Sequence, residues 1–204
     1  MTRILKADAR AAEECAGYLR AGEIIVYPTE TVYGMGADAA NGAAVEKAFL
    51  AKRRERGRTM SVAVGSVAAA REIAEFGPEA EAIARAFLPG PVTLILRSKV
   101  ALARSEIGST IGIRVPDNGF FVEMWRRFGR PIISTSANLS GRPDPVRAED
   151  VDRSVLSGVA ALVDGGPTKY RRPSTVVEIS GGRVRIAREG AIPSADIGRS
   201  VNME

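Results

Sequence analysis

The apolar positions of this chain recur at two spacings, and together they predict short strands separated by helices. One helix, predicted over 119–129, carries an apolar stripe at i, i+3, i+4 and i+7, formed by Phe121, Met124, Trp125 and Phe128. A short apolar run that follows a Pro-Gly break, VTLILR at 92–97, is typical of a buried strand. The pattern therefore predicts a sheet protein with helices between its strands.

The same reasoning places the other elements. Helices are predicted at 9–20 with Asp8 as the N-cap, 42–51, 66–76, 78–87, 119–129 and 147–157. Strands are predicted at 23–27, 60–64, 92–97, 110–116, 130–135, 159–163, 174–179 and 183–187. Because most strands alternate with helices and the C-terminal part is rich in strands, we predict a single α/β domain over 1–204, built on one mixed sheet.

The composition is that of an ordinary globular chain. Of its 204 residues 45% are apolar and 26% are charged, which is enough for one hydrophobic core. No stretch approaches the roughly 18 apolar residues of a membrane span, and the first ten residues lack the apolar core of a secretion signal. Cys15 is the only cysteine, which excludes a disulfide framework. We therefore predict a cytoplasmic protein without a membrane partner.

The chain contains no histidine, which removes the commonest general base and the commonest metal ligand. Any catalysis must use hydroxyls, carboxylates, Lys and Arg, or an ion that a substrate brings. The net charge is +5, which favours anionic partners such as nucleotides or RNA. This charge alone does not separate a nucleotide-binding enzyme from an RNA-binding module.

A polar segment directly follows one predicted strand. The stretch YPTETVYGMG, at 27–36, presents Thr29, Glu30, Thr31 and Tyr33 and ends in two glycines. The ends of strands in α/β sheets are rigid positions where ligands usually bind. The segment is therefore a candidate binding element.

A basic run, AKRRERGR at 51–58, follows the second predicted helix. One interpretation is a solvated basic loop, which is the more common case for an isolated run. The other is a phosphate clamp, because guanidinium groups match phosphate oxygens in a bidentate fashion. In an extended segment, alternate residues share one side. The cations on that side would be Lys52, Arg54, Arg56 and Arg58.

The stretch STSANLSGRP, at 134–143, follows a predicted strand and is rich in small polar residues. It is compatible with an ordinary turn built from good turn formers. It is equally compatible with a loop that offers hydroxyls and backbone N–H groups to an anion. In an extended chain, Ser136 and Asn138 would share one face.

Three further residues are candidates for ligand binding. When each is taken alone, a purely structural role is favoured over a binding role. Arg114 lies within an apolar strand and needs a partner, either a structural carboxylate such as Asp38 or Asp164, or a substrate carboxylate. Ser174 opens one apolar strand, and Arg188 ends another. No Walker loop or complete Rossmann fingerprint is present, so any nucleotide must be bound in another way.

Taken together, these stretches are more specific than any one of them. In chain order they are PTETVYGMGADA, KRR, LPGPVTLIL, IGIRVPD, TSANLSG, DGGP, PSTVVEI and AREGAI. The chain closely resembles the YrdC/TsaC family of L-threonylcarbamoyladenylate synthases over about 8–193, in its short form, with 194–204 as a C-terminal tail. The family signatures K-x-R and S-x-N appear as Lys52–Arg53–Arg54 and Ser136–Ala137–Asn138. The resemblance implies an open twisted sheet of parallel and antiparallel strands, flanked by helices, with a concave basic cleft.

The resemblance also implies a reaction. L-threonine, bicarbonate and ATP would give threonylcarbamoyl-AMP and pyrophosphate, and other proteins would transfer the threonylcarbamoyl group to tRNA beside the anticodon. Mg²⁺ would arrive with ATP, without metal ligands from protein side chains and without an organic cofactor. Two alternatives stay open: a non-catalytic RNA-binding module that uses the same cleft, and a relative that adenylates a carbamoyl group supplied by carbamoyl phosphate.

The residue roles that the resemblance implies fall into three sets. The L-threonine site would comprise Thr31, Tyr33, Arg114, Ser134 and Ser174. The ATP site would comprise Lys52, Arg54, Arg58, Thr110, Ser136, Asn138 and Arg188, of which Lys52, Arg54, Ser136 and Asn138 would be catalytic. Three positions depart from the family pattern, namely Arg58, Ala63 and Asp144. Glu30 could accept the amine proton, but a charge partner for a nearby arginine is the favoured role.

Overall fold

The computed structural model describes residues 2–53, 60–102 and 106–201, and these form one mixed sheet with helices on both faces. The strands are β1 (Arg3–Lys6), β2 (Ile25–Tyr27), β3 (Gly34–Gly36), β4 (Ser61–Ala63), β5 (Val92–Arg97), β6 (Thr110–Arg114), β7 (Ile132–Ser136), β8 (Ala161–Asp164), β9 (Thr175–Ser180) and β10 (Arg183–Arg188). The helices are α1 (Ala9–Arg20), α2 (Gly42–Ala51), α3 (Val67–Ile73), α4 (Pro78–Phe87), α5 (Gly119–Phe128), α6 (Arg153–Leu156) and α7 (Ser194–Ser200).

The strand order across the sheet is β1-β8-β2-β3-β7-β4-β6-β5-β9-β10. Four neighbouring pairs are parallel, namely β1/β8, β8/β2, β4/β6 and β5/β9, and the other five are antiparallel. The predicted mixed α/β sheet is therefore confirmed. None of the helices in the described part of the chain is long and apolar enough to cross a membrane.

Most predicted elements are present, and the helix ends follow from local capping. The Asp8 side chain accepts a hydrogen bond from the Ala11 backbone N–H at 2.7 Å and starts α1 as predicted. Asn118 caps α5 in the same way, and Gly129, with φ of 78°, ends that helix. Glycine tolerates this left-handed conformation without the steric cost that a Cβ would bring.

The structure also differs from the prediction in four places. Strands β1 and β3 and helix α7 were not predicted; α7 lies within the predicted tail, and its Ile197 is fully buried. The predicted helix at 147–157 is instead a 3₁₀ turn at Ala148–Asp150 followed by α6. The break occurs because Asp152 accepts a hydrogen bond from the Ser154 backbone N–H at 2.7 Å and so starts a new helix.

The two faces of the sheet are covered differently. From β8 to β10, one face packs against α2, α3, α4, α6 and α7 in the larger apolar cluster. On the other face, α1 and α5 pack only over the first strands, burying Ile25, Tyr27, Ala63 and Ile132. We call this region the covered part. The rest of the same face, from the ends of β3, β7 and β4 to β10, lines a cavity and is called the open part.

Candidate functional site

The open part contains a cavity of about 490 Å³, a volume typical of small-molecule sites. Alternate residues of neighbouring strands form its floor, because successive side chains of a strand point to opposite faces. Cross-strand partners on this face include Gly34 with Ser136, Ser61 with Ser134, and Gly112 with Ile95. The hydroxyl groups that line the cavity belong to Thr29, Thr31, Ser61, Thr93, Thr110, Ser134, Thr135, Ser136 and Ser174.

Glycines occupy positions in the floor of this cavity where a Cβ atom would clash with neighbouring side chains. A Cβ at Gly112 would lie 2.6 Å from the Ser61 Oγ atom, which is closer than such atoms approach each other. A Cβ at Gly34 would lie 3.3 Å from the ring of Tyr27, its cross-strand partner. The two glycines of the YPTETVYGMG segment are thus explained by the packing of Tyr27, since a Cβ at Gly36 would lie only 2.7 Å from the same ring.

The segment between β2 and β3 is a tight turn held by its own hydroxyls. Thr29 Oγ1 donates to the Val32 carbonyl at 2.6 Å and accepts from the Thr31 and Val32 backbone N–H groups at 3.1 and 3.3 Å. The Thr29 and Thr31 hydroxyls lie 2.9 Å apart, and both residues are buried and line the cavity. Polar side chains are therefore fixed at this strand end, as the sequence predicted.

This turn brings a carboxylate to Arg114. Arg114 Nη2 donates to Glu30 Oε1 at 2.6 Å and to Thr31 Oγ1 at 3.1 Å, and the Arg114 and Glu30 side chains are only 6% and 2% exposed. Within the described residues, neither Glu30 Oε2 nor Arg114 Nε has a hydrogen-bond partner. Arg114 also lines the cavity, so one arginine is both charge-compensated and available to a ligand.

The two carboxylates first considered for Arg114 have other partners. Asp38 pairs with Arg130 at 3.0 Å, and Asp164 accepts from the Gly166 backbone N–H at 2.9 Å. The expectation of Asp38 or Asp164 was thus wrong, and the favoured role of Glu30 as a charge partner is confirmed. The reason is the turn, which folds Glu30 back over β6, 84 residues away in the chain.

Arg188 reaches the cavity because of an irregularity in β10. Regular alternation would place Arg188 on the same face as Ile186, which packs against the larger core. The pairing with β9 shifts between Ile186 and Arg188, so that Arg188 lies opposite Val176 on the cavity face. Arg188 Nη2 then donates to the Ser174 carbonyl at 2.8 Å and to Ser174 Oγ at 3.2 Å.

The surroundings of Arg188 disfavour its positive charge without removing it. Burial lowers the pKa of its guanidinium; Asp144 opposes this effect, and Arg114 adds to it. Two positive groups therefore act on each other across the cavity. Gly190 permits the close approach of this segment, since a Cβ there would collide with the backbone of Ser174 and Thr175. An anion between the two arginines would be stabilised by both.

Lys52 lies beneath the cavity wall rather than on it. Its side chain is buried, and Nζ donates to the Ser136 carbonyl, to the Asn138 carbonyl at 2.8 Å and to Asn138 Oδ1 at 2.9 Å. Asn138 Oδ1 also accepts from Ser136 Oγ at 2.6 Å, while Asn138 Nδ2 donates to the Arg142 carbonyl. Lys52 and Asn138 thus hold the S-x-N turn, and Ser136 is the member that lines the cavity.

Tyr33 is also held away from the cavity. Its hydroxyl donates to the Gly166 carbonyl at 2.7 Å and accepts from the Gly165 backbone N–H at 3.1 Å. Burial raises the pKa of this phenol. These bonds tie β3 to the DGGP stretch of the sequence, so the structure gives Tyr33 a contact with that loop instead of a place on the cavity wall.

The predicted site residues are therefore brought to one region with different exposures. Those that line the cavity are Thr31, Thr110, Arg114, Ser134, Ser136, Ser174 and Arg188. Those that lie next to it are Tyr33, Lys52 and Asn138. Arg54 and Arg58 lie outside the described residues. Of the departures from the family pattern, Ala63 is buried in the covered part, and Asp144 lies in a neighbouring depression beside Asn138.

Sequence reasoning missed several lining residues, among them Ser61, Thr93, Glu178 and Arg185. The sequence does contain an indication for Thr93, because it is the one residue with a hydroxyl group in the apolar run VTLILR. Arg185 and Glu178 are cross-strand partners that form an ion pair at the far end of the cavity. Their contribution depends on the β9–β10 register, which the sequence pattern did not reveal.

The fold and the cavity define an α/β protein with a cavity at strand ends whose lining suits a small polar or anionic ligand. The chain belongs to the Sua5/YciO/YrdC family, whose model, described as telomere recombination, matches residues 17–190. The predicted family membership is thereby confirmed.

Individual relatives agree with this assignment. A protein of Methanocaldococcus jannaschii is 35% identical over 178 residues, covering 87% of this chain and 84% of the relative. The threonylcarbamoyl-AMP synthase of Bacillus subtilis is 36% identical over 188 residues, covering 90% of this chain and 54% of that enzyme. The crystal structure of Pyrococcus abyssi Sua5 complexed with L-threonine superposes with a TM-score of 0.91 at 30% identity, covering 100% of this chain and 61% of that one. The chain thus spans little more than half of these last two relatives.

Proposed function

We propose that this chain is a threonylcarbamoyl-AMP synthase that condenses L-threonine, bicarbonate and ATP. The observation that carries the proposal is the convergence of Arg114, Ser136 and Arg188, far apart in sequence, on one hydroxyl-lined cavity. The name of the Bacillus subtilis relative and the threonine complex of the Pyrococcus abyssi relative support it.

The amino-acid end of the cavity lies at Thr31, Arg114, Ser134 and Ser174. Arg114 is fixed by Glu30 and Thr31 through Nη2, so its remaining N–H groups are oriented for the substrate carboxylate. The surrounding hydroxyls suit the hydroxyl and amino groups of threonine. A site that hydrogen-bonds a substrate hydroxyl rejects analogues without it, by about 10⁴-fold in favourable cases.

The nucleotide end lies at Thr110, Ser136 and Arg188, with Arg54 and Arg58 added by the family resemblance. Lys52 and Asn138 act here through Ser136, whose hydroxyl and carbonyl they hold. Arg188 would neutralise phosphate charge, because a guanidinium donates to phosphate oxygens in a bidentate fashion. This division gives each substrate its own cation, Arg114 for threonine and Arg188 for ATP.

The reaction needs two steps, each of which forms one bond and breaks another. The threonine amine attacks bicarbonate, forms a C–N bond and releases water, which gives a carbamate. A carbamate oxygen then attacks the α-phosphorus, and the bond from that phosphorus to the bridging oxygen breaks, so pyrophosphate leaves with the electron pair. The carbamate is an anion and must approach the triphosphate, which is a polyanion. Preorganised cations and hydroxyls reduce the repulsion between them. Orienting the reactants contributes roughly 7–11 kcal/mol in well-placed systems.

Mg²⁺ would enter with ATP and supply charge neutralisation on the triphosphate. In the described part of the chain, no three Cys, Asp or Glu side chains are grouped so that they could hold a metal ion. Mg²⁺ commonly keeps its waters and binds through substrate phosphates. The residues present are compatible with such a substrate-borne ion: the Ser136 hydroxyl is an oxygen that could face it, while Arg188, itself a cation, would contact the phosphate oxygens.

The proposal extends to the fate of the product. The adenylate is a mixed anhydride, and we propose that tRNA-modifying proteins receive it in the cytoplasm and transfer the threonylcarbamoyl group beside the anticodon. The test of the central claim is an assay with ATP, Mg²⁺ and bicarbonate, with and without L-threonine, which follows pyrophosphate release and detects the adenylate by mass. Pyrophosphate should appear only when both threonine and bicarbonate are present.

Two results would contradict the proposal. Salt-sensitive RNA binding without any turnover would indicate the RNA-binding module instead. Turnover with carbamoyl phosphate in place of threonine and bicarbonate would indicate a carbamoyl-adenylating enzyme.

A further inference from the structure

Thr93 is a cavity residue that belongs to neither predicted substrate site. On the cavity face, one row of cross-strand neighbours runs through Arg114 of β6, Thr93 of β5, Val176 of β9 and Arg188 of β10. Thr93 therefore lies between the two arginines that would serve different substrates. It is only 4% exposed, so its hydroxyl must find partners inside this region.

That partner is Ser174. The Thr93 and Ser174 hydroxyls lie 2.8 Å apart, and Ser174 Oγ also accepts from Arg188 Nη2 at 3.2 Å. Two hydroxyls carry two protons, and one proton is used in the bond between them. The pair therefore keeps one O–H donor for a ligand, and which hydroxyl offers it depends on the direction of their shared bond.

We propose that Thr93 is a positioning residue that couples the amino-acid end of the cavity to the nucleotide end through Ser174. The identity of the two ligands rests on the proposed function. A threonine bound at Arg114 takes the spare proton and fixes the direction of the Thr93–Ser174 bond. Ser174 Oγ already accepts from Arg188 Nη2, and fixing the orientation of this hydroxyl fixes the lone pair that holds the guanidinium in place for phosphate. Each substrate thus preorganises the cavity for the other, and by linkage the effect is reciprocal.

The experiment measures this coupling directly by calorimetry. The nucleotide probe is the α,β-methylene analogue of ATP with Mg²⁺, which cannot be cleaved at the reacting bond, and bicarbonate is omitted. In the wild type, saturating L-threonine should tighten binding of the analogue by about tenfold, within the usual range of coupling between sites. Thr93→Val keeps the shape of the side chain and removes its hydroxyl. In this variant, the ratio of the Kd for the analogue without L-threonine to the Kd with it should fall to between about one and two. Thr93→Ser should restore it.

Thr175→Val is the matched control. Thr175 is also buried, and its hydroxyl bonds to the Ile192 carbonyl at 2.5 Å and accepts from the Ile192 N–H at 3.0 Å, but it does not line the cavity. The chemical change is the same, so a purely structural effect would affect both variants. Thr175→Val should keep the wild-type coupling. Circular dichroism checks that each variant folds, and Thr93→Cys, a weaker donor, replaces Thr93→Val if that variant does not.

Three results overturn the inference: no coupling in the wild type, wild-type coupling in folded Thr93→Val, or equal loss in Thr175→Val. The proposed function is judged separately by adenylate formation in the wild type. If the wild type makes the adenylate and folded Thr93→Val keeps the coupling, only the role of Thr93 is contradicted. If the wild type makes no adenylate, the proposed function is contradicted, whatever the binding data show.

Discussion

The covered and open parts of the sheet face meet on strands β4 and β7, yet they have opposite characters. In β7, Ile132 packs under α5 while Ser134 and Ser136, two and four residues further on, line the cavity. In β4 the same change occurs between Ala63 and Ser61. A helix above the face selects apolar residues, and where no helix packs, hydroxyls can face a ligand. The comparison teaches that a site can be made by leaving part of one face uncovered.

The largest expected effect comes from breaking the covered part. Phe121 is fully buried, and its ring lies 5.5 Å from that of Tyr27. Phe121→Ala should lower the free energy of unfolding by about 3–5 kcal/mol, because it removes a large side chain and leaves a cavity. Chemical denaturation measures this. At a temperature where the variant stays folded, its KM values should match the wild type, and a changed KM would show that the two parts are not independent.

The next effect concerns the buried lysine of the open part. Lys52→Met should lower kcat by about 10²–10³-fold, because the Ser136–Asn138 turn loses the cation that orients it. Steady-state kinetics measures this. The control is Lys47→Met, since Lys47 lies on α2, the helix that Lys52 directly follows, and donates to the Gly22 carbonyl at 2.9 Å without lining the cavity. Equal losses in the two variants would contradict a specific role for Lys52.

A smaller effect is expected at the amino-acid end. Arg114→Ala should raise the KM for threonine by about 10- to 100-fold, since hydrogen bonds to charged groups contribute about 1.5–3 kcal/mol. The KM for ATP should change much less. Arg130→Ala is the control, because it also deprives a buried carboxylate, Asp38, of its partner but does not touch the cavity. If Arg114→Ala leaves the threonine dependence unchanged, Arg114 serves only the structure.

The smallest effect is a pH dependence in the covered part. Burial raises the pKa of Tyr27 from 10.0 to about 12, an effect that Ser134 and Arg114 partly oppose. Below pH 10 both states keep the proton; above it the unfolded state loses the proton first, so stability falls as the pH rises towards 12. By pH 11 this amounts to about 1.4 kcal/mol. Urea titrations at pH 9 and 11 measure the free energy of unfolding, and Tyr27→Phe should remove this part of its fall between the two pH values. An unchanged fall would contradict the assignment of the effect to Tyr27.

Much of the fold followed from local rules that operate within the length of one element. Helices α1, α2 and α4 lie where apolar spacing and caps predicted them, because both signals act over a few residues. Strand β3 was missed because Gly34, Met35 and Gly36 have little intrinsic preference for a strand. It forms by pairing with β2 and β7, and its glycines leave room for the Tyr27 ring of β2. Such a cause lies outside the segment itself.

The sequence by itself determined most of the element types, the family, and the hydroxyls and cations available for a site. Only the tertiary structure decided which of them face a ligand. It paired Arg114 with Glu30, and it turned Lys52 inward to hold the Ser136 turn. Above all, the irregularity between Ile186 and Arg188 moved Arg188 to the cavity face. A shift of one residue reverses the face of a strand side chain, and register is fixed by neighbouring strands rather than by local pattern.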